Sequence, residues 1–460
     1  MVEMMRREVF KNVSYSVGAN IVNFVAAAFI AFIMPRFLGV TEYAYWQLYS
    51  FYVGYKGMAH LGWLDGIYLK YGGKSYRELD KQLFHEQFVL LFAMECFFGF
   101  VIICISTILL NDSNKWFVFV SLGIAVVIYL LNTFFQFVLQ TTNEIITYSK
   151  CVLIERVLYA VLVIGMLFAG IESFKGMIIA DLLSGCCTLA ILMYSCKEIV
   201  REKFRDISRA LNEAVDNIKI GSKLLLGNVG GILIIGIARQ IVEIYWGIEI
   251  FGKVSLALSI SNMLMVLISG ISLVLYPMIK NVSTDRIQSL YPKLLCITKI
   301  AIMWVLLLYF PCESFFSWWL PSYEESFYYM ALLFPICLFE GLYYLLSATY
   351  LKAFRKEKVI LVINWLTVLV EIILLLLAYD SLVYIVLTIL ISLGCRCYLS
   401  LGYLSKILEQ SFWKDFLYDI FMVYCFIDGA WSKKYMWIFI YIIFLCIYMK
   451  KNKQYIRNIS

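Results

Sequence analysis

The sequence predicts an all-α integral membrane protein with about fourteen transmembrane helices. These form two pseudo-symmetric six-helix bundles followed by two further helices. Three observations predict it. The 460-residue chain is 62% hydrophobic, carries only 15% Asp, Glu, Lys and Arg, and has a mean hydropathy of +0.82, whereas a soluble domain is about 25% charged. Its apolar residues come in runs of about 20, the length that crosses a bilayer. Its Lys and Arg residues fall in alternate loops, as the positive-inside rule requires of a multi-pass chain.

The expected spans lie at roughly 12–35, 43–64, 84–110, 116–139, 146–169, 175–196, 220–239, 253–279, 294–311, 326–350, 359–379, 381–404, 414–428 and 435–449. The last two are short, and twelve spans with a hairpin tail is the fallback. The basic start (Arg6, Arg7, Lys11) precedes an apolar run too long for a cleavable signal and reads as an inside flank of span one. With that end inside, 29 Lys and Arg fall in inside segments and 7 in outside ones. A missing span early in the chain would scramble this asymmetry, so it supports the count as well as the orientation. Both termini are therefore expected in the cytoplasm.

The same charge distribution limits function. A net charge of +7 does not indicate nucleic-acid binding, because the bases sit in short loops between apolar runs. None of the thirteen cysteines forms a CxxC pair, and Cys186-Cys187 and Cys395/Cys397 lie inside apolar runs, where thiols act as small hydrophobes. Two histidines, His60 and His85, cannot make a His-rich metal centre. Gly72-Gly73-Lys74 lacks the rest of a phosphate loop. No metal or cofactor is expected. The outside loops are all short, which argues against an enzyme acting at the outer face.

Four segments follow: an N-terminal bundle (1–196), a cytoplasmic linker (197–219), a C-terminal bundle (220–405), and two extra helices with a tail (406–460). In the linker, Ile199, Phe204, Ile207, Leu211, Val215 and Ile218 recur at helical spacing among charged residues, which reads as an amphipathic helix on the inner leaflet. The halves share a local pattern. Leu38-Gly39-Val40-Thr41-Glu42-Tyr43-Ala44 follows span one, and Trp246-Gly247-Ile248-Glu249-Ile250-Phe251-Gly252 follows span seven. Asn lies near the start of each preceding span (Asn20 and Asn23; Asn228) and Arg at its outer end (Arg36; Arg239). Six spans per half place both in one orientation, a parallel repeat about the membrane normal.

Ionisable residues inside spans are costly and are candidates for function by default. Those singled out in or near spans are Lys56, Glu95, Glu155, Arg156, Asp181, Arg239, Glu243, Glu340, Glu371 and Arg396. Lys56 lies mid-span among Tyr45, Gln47, Tyr49, Tyr52 and Tyr55; it holds an anion or pairs structurally with an acid such as Glu95. Arg36, Arg239 and Arg156 either bind phosphate through the guanidinium fork or snorkel to headgroups. Asp181, Glu340 and Glu371 carry a proton or sodium, or pair with a base.

Ala19-Asn20, Pro35-Arg36-Phe37-Leu38-Gly39 and Tyr43-Ala44, then Leu61-Gly62-Trp63-Leu64-Asp65-Gly66 with Tyr68-Leu69-Lys70-Tyr71-Gly72-Gly73-Lys74, and Leu275-Tyr276-Pro277 together resemble the polysaccharide (O-antigen) flippases of the multidrug/oligosaccharidyl-lipid/polysaccharide exporter superfamily. The similarity covers 12–85 and 220–280 best; Ala44 departs from the usual glycine. The resemblance implies two bundles around a central cavity with alternating access, in a bacterial cytoplasmic membrane. It implies transport of a polyprenyl-diphosphate-linked oligosaccharide from the inner to the outer leaflet, for surface polysaccharide assembly. The diphosphate would be held by Arg36, Lys56, Arg239 and Arg156. The two extra spans resemble those of the lipid II flippases, where such helices help accommodate the lipid tail. The alternatives are a cation-coupled multidrug exporter, which would want acids dominating its cavity, and a membrane glycan polymerase.

Overall fold

A computed structural model describes residues 32–453 except 281–283 and 411–412, together with residues 25, 28 and 29; side chains within parts of 264–289 and at 413–415 are outside this description. Most of the first expected span, with Asn20 and Asn23, lies outside the described residues. The described residues are mostly helical. Among the described residues, eight helices are long and apolar enough to cross a membrane, and a ninth crossing is formed if Pro321–Leu333 and Ile336–Ala353, bent by 43°, are one span. Pro335, at that bend, withholds an N–H and crowds the preceding turn. The last two expected spans are α-helices of 19 and 17 residues. At 1.5 Å per residue they reach about 25–29 Å, just short of the ~30 Å hydrocarbon core.

The chain forms two compact units, Met1–Ile232 and Leu233–Ser460. Unit 1 contains α1 (Met34–Val53), α2 (Trp63–Tyr71), α3 (Lys81–Leu109), α4 (Ser113–Thr141), α5 (Ile145–Phe168), α6 (Phe174–Ser195) and the beginning of α7 (Ile207–Lys280). Helix α4 is its axis, packed against α1, α2, α3, α5 and α6. Two thirds of its most apolar stretch is buried, against 17% for α3 and α5, so those two present most of their surface outward. Lipid gives apolar helices no reason to associate, and close packing of small residues does that work. A Cβ on Gly99 of α3 would sit 2.5 Å from the Gly123 carbonyl oxygen of α4. Polar side chains close the helix starts. Asp80 accepts from the Leu83 N–H, Asp112 from Asn114 and Lys115, and Ser173 from Lys175. Helix α1 is tied to two of these ends, through Tyr45 to Asp112 and through Glu42 to the Phe174 N–H.

Unit 2 contains the remainder of α7, then α8 (Thr284–Leu306), α9 (Tyr309–Trp319), α10 (Glu324–Leu333), α11 (Ile336–Leu342), α12 (Ala348–Ala353), α13 (Glu357–Ala378), α14 (Leu382–Ile407), α15 (Trp413–Trp431) and α16 (Tyr435–Lys451). Helix α14 is central, packed on α10, α11 and α13. A π-helical turn, Tyr343–Ser347, separates α11 from α12. Helices α15 and α16 pair with each other; α15 also meets α10, and α16 meets α8.

The repeated heptapeptide has one backbone form in both halves. Gly39 interrupts α1 at φ 71°, ψ 171°, and Gly247 interrupts α7 at φ 79°, ψ 178°. This region is essentially open to glycine alone, and a Cβ at either position would meet nothing within 4 Å. The glycines are needed for their dihedrals, not for space.

The structure corrects two local expectations. The linker is not one helix: Lys197–Val200 is a single turn, and a new helix starts at Ile207 and runs on into the next span. Ile199, expected on the apolar stripe, is buried in the unit 1 core. Lys299, which counts among the loop bases of the charge asymmetry, is buried within α8.

Candidate functional site

The second expected span is not one continuous helix. Helix α1 ends at Val53, the chain passes through a 3-10 turn at Lys56–Met58, and α2 begins at Trp63. Leu61 and Gly62 both take positive φ, 54° and 90°, and the Gly62 N–H donates to His60 Nδ1 at 3.1 Å. Non-helical backbone at membrane depth persists only where protein covers it or where it lines water. Lys56 belongs to this break, not to the middle of a helix. It is half-buried, with Nζ 4.6 Å from the centre of the Tyr129 ring, a cation–π contact.

Tyr129 also reaches Asp181 on α6. The Tyr49 hydroxyl donates to Asp181 Oδ2 at 2.8 Å, and the Tyr129 hydroxyl donates to the Asp181 carbonyl at 3.0 Å. Tyr129 thus touches the cation with its face and the α6 backbone with its edge. Glu155 and Arg156 of α5 add a second acid and a second base. Lys56 lies within electrostatic reach of Glu155, Asp181 and Arg156, and Asp181 of Arg156 and Lys56. Three of the expected site residues, Lys56, Arg156 and Asp181, are therefore together in unit 1. Glu95, weighed as a structural partner for Lys56, is fully buried on α3, and its carboxyl oxygens meet no hydrogen-bond donor among the described residues. Arg36 is exposed near the start of α1, three residues before the Gly39 break.

Two bases and two acids leave the cluster formally neutral. An incoming anion competes with Glu155 and Asp181 for Lys56 and Arg156. An incoming cation competes with the two bases for the acids. The site is therefore chemically suited to exchange, in which filling one half loosens the other.

In unit 2 the expected residues are separated by their partners. Arg239 is pinned rather than extended: its Nη2 donates to Ser255 Oγ at 2.8 Å and its guanidinium lies 5.0 Å from the Phe251 ring. Both partners follow the Gly247 break, so the arginine braces the kink of its own helix. Glu340 forms a buried ion pair with Arg396, whose guanidinium lies 4.3 Å from the Tyr343 ring. Glu371 is fully buried and accepts from the Thr388 hydroxyl at 2.8 Å. A further buried ion pair is not anticipated by the sequence: Lys299 Nζ to Asp419 Oδ2, 2.7 Å, with Tyr398 donating to the same oxygen at 3.1 Å. Its one signal is Asp419, the acid nearest the middle of the short span 414–428.

No family model matches the sequence, and no curated protein matches it. Solved structures do. The inward-facing conformation of a multidrug resistance MATE family transporter of the MOP superfamily matches with a TM-score of 0.67 at 9% identity, over 86% of this chain and 98% of that one. The chain shares the fold of that solved transporter structure. Lipid II flippase MurJ, in an inward closed conformation, matches with a TM-score of 0.65 at 16% identity, over 96% of this chain and 99% of the flippase. The Vibrio cholerae MATE transporter VcmN matches at 0.56 and 16%, over 88% and 98%. MurJ shares the greatest length with this chain among these three, and 96% coverage is too high to leave out both C-terminal helices.

Proposed function

We propose that this chain moves a polyprenyl-diphosphate-linked oligosaccharide from the inner to the outer leaflet by alternating access. The setting is a bacterial cytoplasmic membrane with both termini cytoplasmic, and the product feeds surface polysaccharide assembly. The observation that carries this reading is the broken span. Lys56 sits in a 3-10 turn between two helices, within electrostatic reach of Arg156, and in this reading Glu155 and Asp181 are displaceable counter-charges. A diphosphate supplies the anionic charge that such bases bind best, and Arg156 adds the planar donor fork. Arg36 and Arg239 are the further diphosphate ligands of this reading, with Arg239 already held in place by Ser255.

Coupling follows from the same cluster. A proton or sodium ion taken up by Asp181 releases the bases for the anion, so the two ligands favour each other's binding. Glu340 and Glu371 are weaker carriers in this scheme, because Arg396 neutralises one and Thr388 holds the other.

The test is export of surface glycan from cells carrying Lys56→Ala, Arg156→Ala, Arg36→Ala or Arg239→Ala, with membrane insertion measured alongside. Lys56→Ala and Arg156→Ala are expected to abolish export and to accumulate lipid-linked glycan inside. Normal export by the Lys56→Ala/Arg156→Ala double variant at normal protein level would refute the site.

One observation favours a second reading, a cation-coupled multidrug exporter: Asp181 is cradled by Tyr49 and Tyr129 and so is organised as well as either base. Under that reading Asp181→Asn raises drug sensitivity while surface glycan is unchanged.

A further inference from the structure

Unit 1 carries an apolar stripe whose orientation is fixed by polar ties on the opposite face of the same helix. At the head of α7, Ile207, Leu211 and Val215 are 56%, 48% and 47% exposed, and Phe204, just before the helix, is 38% exposed. Their spacing of three or four residues puts them on one side. The other side is committed inward. Ala210, Ala214 and Asn217 are buried. Glu86 accepts from the Arg205 and Asp206 N–H groups, each at 3.1 Å. Arg209 pairs with Asp80 at 2.6 Å. Glu213 accepts from Lys70 and from Tyr71, both at 2.7 Å, and Asn217 donates to Gln87 at 2.7 Å. Rolling the stripe inward would break all of these contacts at once.

The stripe is bordered by exposed bases. Arg201, Lys203 and Arg205 precede the helix. The acids of this stretch are Glu202, which is half-buried, and Asp206, whose carboxylate is used in accepting from the Arg209 N–H. The head of the helix is also too polar for the hydrocarbon core. Arg209, Glu213, Asp216 and Lys219 recur through it, and the apolar run of the same helix begins only near residue 220. Charges at that density belong at the level of the headgroups, not among the chains. The first turns of α7 therefore lie where the apolar run emerges from the bilayer.

We propose that residues 201–215 dock on anionic phospholipid headgroups, in the leaflet that borders the 70–81 loop. The stripe enters the boundary between headgroups and chains, and Arg201, Lys203 and Arg205 meet the phosphates, the arrangement that an apolar face with flanking bases adopts at a membrane surface. This surface is distinct from the cluster around Lys56 and does not depend on what the protein transports.

The test uses the full-length protein in nanodiscs of phosphatidylcholine alone and of phosphatidylcholine mixed with phosphatidylglycerol. A genetically encoded fluorescent amino acid is placed at Leu211 or Val215, or at the neighbouring exposed positions Asn212 or Asp216. Brominated lipid should quench positions 211 and 215 several-fold more than 212 and 216, and aqueous iodide should show the reverse. The lipid quenching should grow with phosphatidylglycerol and fall with salt. R201Q/K203Q/R205Q should remove the phosphatidylglycerol dependence while the protein's melting temperature in detergent is unchanged. Equal iodide quenching at 211 and 212 in both lipids would overturn the proposal and leave the stripe facing water. Lipid quenching that ignores phosphatidylglycerol would overturn the headgroup assignment. Neither readout involves transport, so the function proposed above can fail or stand independently.

Discussion

Asp419→Asn tests whether the two C-terminal helices are an integral part of unit 2. Asp419 lies on α15 with its carboxylate 2.7 Å from Lys299 Nζ of α8, and the two side chains are 0% and 2% exposed. Tyr398 of α14 donates to the same oxygen. Substituting asparagine leaves the lysine charge buried without its counter-charge. Removing one partner of a buried pair costs about 3–5 kcal/mol, whereas replacing both by apolar residues of similar volume is often neutral or stabilising. For a unit of this size that cost lowers the melting temperature by roughly 6–20 °C. Lys299→Met/Asp419→Leu should recover most of the loss. Scanning fluorimetry of the wild type, both single variants and the double variant in one detergent gives the cycle. A single-variant shift of under about 2 °C, or a double variant no better than Asp419→Asn, would refute the assignment of a dehydrated pair that fastens α15 to α8 and α14.

Three more outcomes follow from the same geometry. Gly39→Ala and Gly247→Ala should each cost about 1–3 kcal/mol through dihedral strain alone, whereas Gly66→Ala should cost more by collision, since its Cβ would lie 1.9 Å from the Asn217 carbonyl oxygen; melting temperatures of the three variants separate the two causes. Burial pulls the Asp80 carboxyl upward, but the Leu83 N–H and the Arg209 guanidinium outweigh it and hold the group below its ordinary value. The Asp80–Arg209 tie should therefore be complete above the ordinary carboxylate range and lost only as pH falls through the depressed value, read as proteolysis of the 201–206 loop that rises at strongly acid pH and is already high at neutral pH in Asp80→Asn. Glu86→Ala should expose the same loop to protease at all pH values, because the Arg205 and Asp206 N–H groups lose their acceptor.

What the sequence revealed and what it hid divide by the range of the contact. Span positions follow from the apolar content of some twenty consecutive residues, so most were legible. The Gly39 and Gly247 breaks were legible as a repeated heptapeptide, although only coordinates show that both are the same backbone conformation. The break around Lys56 had a local signal in Gly54, Gly57 and Gly62, but Met58, Ala59 and Leu61 between them, and the aromatic run before them, kept the stretch apolar enough to read as one span. Lys299 and Asp419 are 120 positions apart, and no periodicity links them. At the head of α7 the apolar stripe of 207, 211 and 215 was legible from its spacing, whereas nothing local marks 210, 214 and 217 as the face turned to the protein. Polar ties from Glu86, Asp80, Lys70 and Gln87 set that face.

The two halves keep the same kink and use it for different chemistry. At Gly247 the kink is braced by Arg239, which reaches across it to Ser255 and Phe251. At Gly39 the residues just beyond the kink look outward to other helices instead, Glu42 to the start of α6 and Tyr45 to the cap of α4. Helix α1 then continues through Tyr49 to Asp181 and ends just before Lys56. One helix therefore connects the kink, the acid and the broken segment in unit 1. A change of backbone at Gly39 would be felt at Tyr49 and then at the charge cluster, because about ten residues of α-helix, about 15 Å, separate them and a helix of that length moves as a rigid rod. In unit 2 the corresponding stretch after Gly247 is secured by its own arginine, and the buried acids Glu340 and Glu371 are held by Arg396 and Thr388 on α14. Glycine fixes the shared geometry; under the proposed function the side chains around it serve exchange in the first half, while in the second they also brace the helix. Gly39→Ala should accordingly alter both stability and glycan export, while Gly247→Ala should alter stability first; equal export defects at equal protein levels would show that the halves are not divided in this way.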